Sequence, residues 1–238
     1  MQVAILAGGL GTRLRPLTLT VPKPMVPIHG RPFLEYQIEW VKQFGFHRIL
    51  LLTGYLGEQI EEHFQDGRRW GVSIAYSRES SPLGTAGALK LAEHQLDERF
   101  LLLNGDTYLP IDYGAMARHF EQSDGLGLMT VYDNADKVAM NNVGLTHDGK
   151  VARYAKSGGP GLTHVVAGAY LFKSAVAERI PAGTKSSLEE DLVATLAPSG
   201  ELGSYPVSQR FYDIGTFERF ALAEPILGRP SGSPCCSG

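Results

Sequence analysis

Residues 6–15 read Leu6-Ala7-Gly8-Gly9-Leu10-Gly11-Thr12-Arg13-Leu14-Arg15, and they directly follow the short apolar run 3–6. The apolar run predicts a buried strand, so the glycines predict a tight loop at the carboxyl end of that strand. Such a loop leaves backbone N–H groups open to an anion, because no side chain covers them. Arg13 brings one cation, and Val21-Pro22-Lys23-Pro24-Met25 brings a second at Lys23. This pattern favours binding of a nucleoside triphosphate.

Spacing excludes two other glycine-rich loops. A P-loop needs Gly-Lys followed by Ser or Thr, which occurs nowhere in the chain. A dinucleotide-binding fingerprint read from Gly9 and Gly11 would need a third glycine where Leu14 stands. A plain strand-to-turn connection is the alternative, but the two cations and the Pro-Lys-Pro segment make it the weaker interpretation.

Composition bounds the kind of protein. The chain has 238 residues with 43% hydrophobic composition, which predicts one substantial core. A net charge of −3 disfavours nucleic acid as a partner. Apolar runs such as 49–52 and 165–172 are too short to cross a membrane, and the first residues do not resemble a signal peptide. The only cysteines, Cys235 and Cys236, are adjacent and predict neither a disulfide nor a metal site. We expect a cytoplasmic enzyme that binds no nucleic acid and no membrane.

Periodicity predicts an α/β fold. Helical patterns and short apolar runs alternate in the first half, which is typical of a mostly parallel sheet. The predicted helices are 32–44, 57–64, 84–96, 174–179 and 188–196. The predicted strands are 3–6, 48–53, 72–76, 100–103, 126–132, 143–147, 151–154, 165–172 and 203–207. Residues 228–238 are rich in Gly, Pro and Ser and predict a disordered tail.

Polar residues follow the predicted strands where ligands collect. Ligands of parallel sheets bind beyond the carboxyl ends of the strands. Asn104-Gly105-Asp106 follows one such strand and Glu79 follows another, so we expect both to lie near the glycine loop. Asp106 taken alone could equally cap a turn or a helix.

The loop 8–14 and the Pro-Lys-Pro of 22–24 resemble the signature of the sugar-1-phosphate nucleotidyltransferases, or NDP-sugar pyrophosphorylases. The resemblance runs from Met1 to about Glu224. Segments 32–36, 83–88, 187–191 and 211–216 are most similar to the D-glycero-D-manno-heptose 1-phosphate guanylyltransferases, with mannose-1-phosphate guanylyltransferases close behind. The resemblance implies a three-layer, mostly parallel Rossmann-like sheet flanked by helices, of the nucleotide-diphospho-sugar transferase type. It also implies a single domain over 1–227, with a nucleotide-binding half 1–110 and a sugar-binding half 111–227.

The implied reaction joins two anions. An oxygen of the sugar 1-phosphate attacks the α-phosphorus of a nucleoside triphosphate and expels pyrophosphate, so the site must offset charge repulsion. The resemblance assigns catalysis to Arg13, Lys23, Asp106 and Asp213 and places one Mg²⁺ between the two aspartates. Two carboxylates with phosphate oxygens and water make an ordinary octahedral magnesium site.

The resemblance also assigns substrate-binding residues. Those expected at the nucleotide are Leu6, Ala7, Gly8, Gly9, Gly11, Thr12, Glu79, Gly84, Thr85 and Ala86. Those expected at the sugar phosphate are Asn104, Gly144, Lys156, Gly168 and Glu189. Two positions depart from the family pattern: Ala155 and Ser157 flank Lys156 where Glu-Lys-Pro is usual, and Val166 replaces an asparagine. Lys156 could therefore be an ordinary exposed lysine.

The expected base is guanine, since a carboxylate such as Glu79 can accept hydrogen bonds from both guanine N1–H and N2–H. Cytidylyl, uridylyl or thymidylyl transfer is the alternative, because base discrimination rests on one or two contacts. A non-catalytic subunit that binds NDP-sugars is a third reading, and the presence of Arg13, Lys23, Asp106 and Asp213 argues against it. The expected partners are thus GTP and a sugar 1-phosphate, and a homo-oligomer is compatible with the sequence.

Overall fold

The structure is a computed structural model that describes residues 1–227. The predicted disordered tail 228–238, with Cys235 and Cys236, lies outside the described residues. The strands are β1 (Gln2–Leu6), β2 (Pro27–Ile28), β3 (Arg31–Pro32), β4 (Arg48–Thr53), β5 (Ser73–Arg78), β6 (Arg99–Asn104), β7 (Thr107–Tyr108), β8 (Gly127–Tyr132), β9 (Val143–Leu145), β10 (Val151–Tyr154), β11 (Val165–Lys173), β12 (Leu202–Val207) and β13 (Tyr212–Asp213). The α-helices are α1 (Phe33–Lys42), α2 (Gly57–Phe64), α3 (Gly84–Leu91), α4 (Tyr113–Glu121), α5 (Ala194–Leu196) and α6 (Phe217–Leu227).

A seven-stranded sheet in the order β12-β8-β11-β6-β1-β4-β5 forms the middle of the molecule. β11 is antiparallel to both of its neighbours and every other pair is parallel, so six of the seven strands run in one direction. The predicted mostly parallel sheet is therefore confirmed. β8, β11 and β12 belong to the second half of the chain, so both halves build one sheet. The functional boundary at residue 110 stays a prediction.

Alternation along the strands explains the three layers. In β1, Val3 and Ile5 pack into one core cluster while Ala4 packs into the other, because successive side chains point to opposite faces. Helices α1, α2 and α4 supply apolar residues to the first cluster. Helix α3 and the segment 174–197 supply them to the second. Burial on both faces is the reason that β4 reads as a continuous apolar run.

Several predicted bounds differ from the observed ones. The predicted helix 84–96 ends at Leu91 and is followed by a 3-10 turn, Glu93–Gln95, and the predicted helix 174–179 is a 3-10 helix. The predicted helix 188–196 starts with a π-helical turn, Leu188–Val193, because Leu192 N donates to the Ser187 carbonyl five residues earlier at 3.2 Å. The predicted strand 143–147 stops at Leu145, where Thr146 and Lys150 close the hairpin turn.

Helices α4 and α6 are not among the predicted elements. A signal for α4 is present, since Asp112 caps it by accepting from Ala115 N at 2.9 Å. Its buried residues Tyr113, Met116 and Phe120 also follow helical spacing. Helix α6 packs its Ala223 and Leu227 into a small third cluster with Ile28 and Phe33. None of the helices described in 1–227 is long and apolar enough to cross a membrane.

Candidate active site

The glycine loop leaves the sheet between β4 and β6. Ala7 N donates to the Leu52 carbonyl at 2.8 Å, and Gly105 N donates to the Leu6 carbonyl at 3.0 Å. A Cβ on Gly105 would overlap the Leu6 carbonyl, so β1 and β6 approach this closely only with glycine at that position. Gly11 has φ +60°, and a Cβ there would lie 2.9 Å from Thr18 Cγ2. The loop is thus fixed by its backbone at the carboxyl edge of the sheet.

A cavity of about 500 Å³, called the first cavity below, opens beside this loop. It contains most of the residues that the sequence assigned to the nucleotide, together with two cations and one carboxylate assigned to catalysis. The predicted residues that line it are Leu6, Ala7, Gly8, Gly9, Gly11, Thr12, Arg13, Lys23, Glu79, Gly84, Thr85, Asn104, Asp106 and Glu189. The volume and the glycine-lined wall fit a nucleotide-sized ligand.

A second cavity of about 300 Å³ adjoins the first. The two cavities share Arg13, Asn104, Asp106 and Glu189 in their walls. The second also contains the predicted residues Asp213 and Gly168, and Asn142, Tyr154 and Arg219 besides. The shared wall is the place where ligands in the two cavities would meet, and Asp106 stands in it.

Asp106 is held by a buried lysine. Lys23 Nζ forms an ion pair with Asp106 Oδ2, and the Thr107 hydroxyl donates to Oδ1 at 3.0 Å. Burial acts to raise the pKa of Asp106, but the charge and hydrogen bond of Lys23, the Thr107 hydroxyl and the charge of Arg13 outweigh it. The pKa of this carboxyl therefore lies below its ordinary value, and Asp106 is an anion at neutral pH.

Asp213, on the two-residue strand β13, lines the second cavity together with Asp106. β13 pairs antiparallel with β7 so that Asp213 lies opposite Thr107, and Ile214 N donates to the Asp106 carbonyl at 2.9 Å. Gly168 on β11, with φ +81°, makes room for this pairing, because a Cβ there would lie 3.0 Å from Thr107 Cγ2. Asp213 Oδ1 accepts from Gly215 N at 2.9 Å, and Oδ2 accepts from Arg219 at 3.0 Å.

The carboxylates fit a magnesium ion that arrives with a substrate. Within residues 1–227 there is no group of three or more His, Cys, Asp or Glu able to hold a metal on its own. Asp106 and Asp213 both line the second cavity, and Asp106 is ionised. Mg²⁺ binds through one or two carboxylates when phosphates and water complete its octahedron, so this donor set suits Mg²⁺ with a phosphate ligand.

Glu79 lies just beyond β5 at the wall of the first cavity. Its Oε2 accepts from Leu83 N at 2.9 Å. Its Oε1 lies over Gly8 and Gly54, where a Cβ would approach it to 2.9 and 2.6 Å. Burial raises the pKa of Glu79, and the hydrogen bond from Leu83 opposes that rise. Two glycines and one backbone N–H therefore fix the position of this carboxylate.

The start of α3 packs tightly on the segment before the π-helical turn. Gly84 has φ +75°, and a Cβ on it would overlap the Ser186 carbonyl. The Thr85 hydroxyl accepts from Leu188 N at 2.7 Å. Ala86 is fully buried and its N–H donates to the Ser186 carbonyl, so this predicted nucleotide-binding residue contributes packing.

Glu189 faces both cavities from the π-helical turn. The hydroxyl of the buried Tyr170 donates to Glu189 Oε1 at 2.9 Å. Burial raises the pKa of Glu189, the Tyr170 hydroxyl opposes the rise, and the charge of Asp106 adds to it. This carboxylate is oriented for accepting hydrogen bonds from a ligand.

Lys156 and Gly144 lie apart from the shared wall. The Lys156 side chain is 70% exposed and pairs with Glu190 at 2.8 Å. It lines a third cavity of about 340 Å³, which also contains Asp213 and Arg219. Gly144 is buried in β9, where a Cβ would lie 3.1 Å from the Gly161 carbonyl. Asn142 directly precedes β9. It lines the second and third cavities, and its side-chain oxygen accepts a hydrogen bond from Val166 N at 3.0 Å.

Sequence reasoning missed two cations at these cavities. Lys185 lines the first cavity and Arg219 lines the second and third. Lys185 precedes Ser187-Leu188-Glu189 by two positions, and Arg219 follows Asp213 in the first turn of α6. Proximity to those two motifs is the signal that could have identified them.

These features define a class of protein: an α/β protein with a glycine loop, a buried lysine and the carboxylates of Asp106 and Asp213 at the carboxyl edge of its sheet. Residues 2–227 match the family model of the nucleotidyl transferases, and the chain belongs to this family. The sugar-1-phosphate nucleotidyltransferase family predicted from the glycine loop and Pro-Lys-Pro is thereby confirmed.

Named relatives show the range of the family. The UTP–glucose-1-phosphate uridylyltransferase of Synechocystis is 36% identical over 236 residues, covering 90% of this chain, and the chain spans 60% of the length of that relative. The D-glycero-alpha-D-manno-heptose 1-phosphate guanylyltransferase of Aneurinibacillus thermoaerophilus is 32% identical over 234 residues, covering 95% of this chain and 98% of the relative. A crystal structure of HddC from Yersinia pseudotuberculosis complexed with GMP-PN superposes with a TM-score of 0.80 at 29% identity, covering 94% of this chain and 98% of that one.

Proposed function

We propose that the protein is a guanylyltransferase that joins GTP to a sugar 1-phosphate, giving a GDP-sugar and pyrophosphate. The observation that carries the proposal is the shared wall of the first two cavities, because Arg13 and Asp106 line both the cavity beside the glycine loop and the cavity that contains Asp213. A nucleoside triphosphate in the first cavity and a sugar 1-phosphate in the second would bring their phosphates together at this wall. Holding two anions in line in this way is most of what phosphoryl-transfer catalysis requires.

In the proposed reaction a sugar-phosphate oxygen forms a bond to the α-phosphorus while the bond to the departing pyrophosphate breaks. The loop N–H groups, Arg13 and Lys23 bind the triphosphate and offset its charge. Asp106 and Asp213 would hold Mg²⁺, which when bound neutralises phosphate charge and draws the two substrates together. Glu189 and Asn142 face the second cavity and are suited to sugar hydroxyls. The same proposal places the enzyme in the cytoplasm, where nucleoside triphosphates are available.

Guanine is favoured by Glu79. Its Oε1 lies in space that a Cβ on Gly8 or Gly54 would fill, and Oε2 accepts from Leu83 N, so the carboxylate is held at the wall of the first cavity with a free lone pair on each oxygen. Guanine offers two adjacent donors, N1–H and N2–H, to such a pair. The Aneurinibacillus relative, which is named a heptose 1-phosphate guanylyltransferase and is 32% identical over 234 residues, supports the same choice. Heptose 1-phosphate of the D-glycero-D-manno series, or mannose 1-phosphate, is the proposed sugar.

Uridylyl transfer to glucose 1-phosphate is the second candidate. It is favoured by the identity of 36% to the Synechocystis relative. The two candidates differ in the base and the sugar and share the same proposed chemistry.

Pyrophosphate release tests the proposal directly. The full chain with Mg²⁺ is assayed with GTP, CTP, UTP, dTTP and ATP against heptose, mannose and glucose 1-phosphates. We expect release with GTP and one of the first two sugars. Release with UTP and glucose 1-phosphate would replace the guanylyltransferase proposal by the second candidate. Absence of release with every pair, from folded protein, would favour a non-catalytic NDP-sugar-binding subunit.

A further inference from the structure

Arg219 occupies an oxygen of Asp213 that a metal ion would need. Arg219 Nη1 donates to Asp213 Oδ2 at 3.0 Å, while Gly215 N occupies Oδ1. Mg²⁺ binds carboxylate oxygens directly at about 2.0–2.1 Å. A guanidinium and a divalent cation at the same oxygen repel each other strongly in a partly buried site. The two cations therefore compete for Asp213, and each weakens the binding of the other.

The position of Arg219 in its helix is unfavourable apart from this contact. Arg219 is the third residue of α6, and its N–H donates to the Thr216 hydroxyl at 3.4 Å in the first turn. The first turn carries the positive end of the helix dipole, which disfavours cations. The ion pair with Asp213 offsets this cost. Arg219 therefore contacts the Asp213 carboxylate from a position where its charge lowers the stability of helix α6.

The ion pairs on the two carboxylates differ in how easily they separate. The Lys23 side chain on Asp106 is 11% exposed and is enclosed by the loop and the sheet. The Arg219 side chain on Asp213 is 48% exposed and lies on the surface of α6. Arg219 can move without disturbing the core, whereas Lys23 cannot. Asp213 is therefore the carboxylate at which an exchange of partners is feasible.

An Arg219 side chain that has left Asp213 would still face the second cavity, where the sugar 1-phosphate is proposed to bind, because Arg219 lines both the second and the third cavity. Its planar guanidinium matches phosphate oxygens in a bidentate geometry. We propose that Arg219 exchanges partners on substrate binding: it gives up Asp213 to the divalent cation and binds the phosphate of the sugar 1-phosphate. This inference rests on the proposed function, because it uses the same metal and sugar sites.

The exchange couples the two ligands. A cation that displaces Arg219 makes the guanidinium available to the phosphate, and a phosphate that binds Arg219 makes Asp213 available to the cation. Coupling of this kind is reciprocal, so each ligand raises the affinity for the other. Removal of the guanidinium should make cation binding easier and sugar-phosphate binding weaker at the same time.

The test measures Mn²⁺ binding to the full chain by calorimetry in the presence of a non-hydrolysable GTP analogue, whose phosphates complete the metal site, and then KM for the sugar 1-phosphate. Arg210 gives a matched control, because it lines the third cavity beside Arg219 but pairs with Asp136 at 3.8 Å. We expect Arg219→Gln to bind Mn²⁺ about two- to fivefold more tightly, the worth of a half-exposed ion pair. We expect its KM for the sugar 1-phosphate to rise roughly tenfold. Arg210→Gln should leave the Mn²⁺ affinity within about twofold.

Two results separate this inference from the metal site on which it rests. If Asp213→Asn weakens Mn²⁺ binding while Arg219→Gln binds as the wild type does, the exchange is overturned and the metal site stands. An equal gain in Arg210→Gln would also overturn it, since general charge removal would then explain the effect. If Asp213→Asn binds Mn²⁺ as well as the wild type, the metal assignment in the proposed function fails, and the exchange fails with it.

Discussion

The first and second cavities are built from different material. The wall of the first contains six glycines, of which Gly8, Gly84 and Gly105 stand at positions where a Cβ would meet a neighbour. The wall of the second contains Gly168 as its glycine and charged side chains that include the ion pair of Asp213 with Arg219. Backbone suits a triphosphate, whose oxygens are the same in every nucleotide. Charged and polar side chains suit a metal ion, which must replace an existing ion-pair partner, and a sugar, whose hydroxyl groups must be distinguished from those of other sugars.

The largest effect is expected at Asp106, because it stands in the wall common to both cavities. Asp106→Asn removes the charge that would hold Mg²⁺ and also breaks the ion pair with Lys23. We expect kcat to fall by more than about 100-fold, beyond the loss typical of residues that only support a metal ligand. Asp97→Asn is the control, since Asp97 pairs with Arg48 at 2.9 Å at the other end of the strands. An Asp106→Asn enzyme that keeps a tenth of the activity at saturating Mg²⁺ would contradict the metal assignment.

The backbone character of the first cavity predicts a loss of stability at Gly105. In Gly105→Ala the new Cβ meets the Leu6 carbonyl, so β1 and β6 must move apart at the cavity floor. We expect the free energy of unfolding, measured with urea, to fall by about 2 kcal/mol. Gly9→Ala is the matched control for stability, because nothing lies within 4 Å of a Cβ at Gly9. Equal stability of the two variants would show that β1 and β6 can move apart at Gly105 without a cost in stability.

The position of Glu79 predicts a change in base preference. Glu79→Gln keeps an acceptor for Leu83 N and replaces one of the two carboxylate acceptors by an N–H donor, which opposes guanine. We expect kcat/KM for GTP to fall roughly 10- to 100-fold, while kcat/KM for UTP changes little. The ratio of the two values within one variant controls for damage to the fold. A parallel fall with both nucleotides would remove Glu79 from base recognition.

The contrast between the cavities also shows where sequence reasoning works. The glycine loop and Asn104-Gly105-Asp106 follow buried strands, and strand ends of a parallel sheet converge, so local pattern was sufficient to place them together. Asp213 was found by family resemblance alone. It reaches Asp106 through two-residue strands, β7 and β13, which carry no periodic signal.

Residues whose placement depends on tertiary packing were less predictable. Arg219 lies on α6, which packs on a small cluster assembled from distant segments, so no local pattern places its side chain at Asp213. The motif assigns Ala86 to the nucleotide, and this assignment stays a prediction because the close approach of α3 to Ser186 buries the residue. Motif spacing identifies which segments meet, whereas packing decides which side chains reach the cavity.

Lys156 is expected to give the smallest effect. Its flanking residues depart from the family pattern, and the side chain is 70% exposed, paired with Glu190 and placed in the third cavity. An exposed lysine in the third cavity contributes little to binding of the sugar phosphate, because exposed ion pairs are weak. We therefore expect Lys156→Ala to raise KM for the sugar 1-phosphate about threefold and to leave kcat unchanged. Glu190→Ala is the matched control, because it frees Lys156 without removing it. A larger KM change than in Arg219→Gln would make Lys156 the main phosphate ligand, and a change confined to the nucleotide KM would assign it to the other substrate.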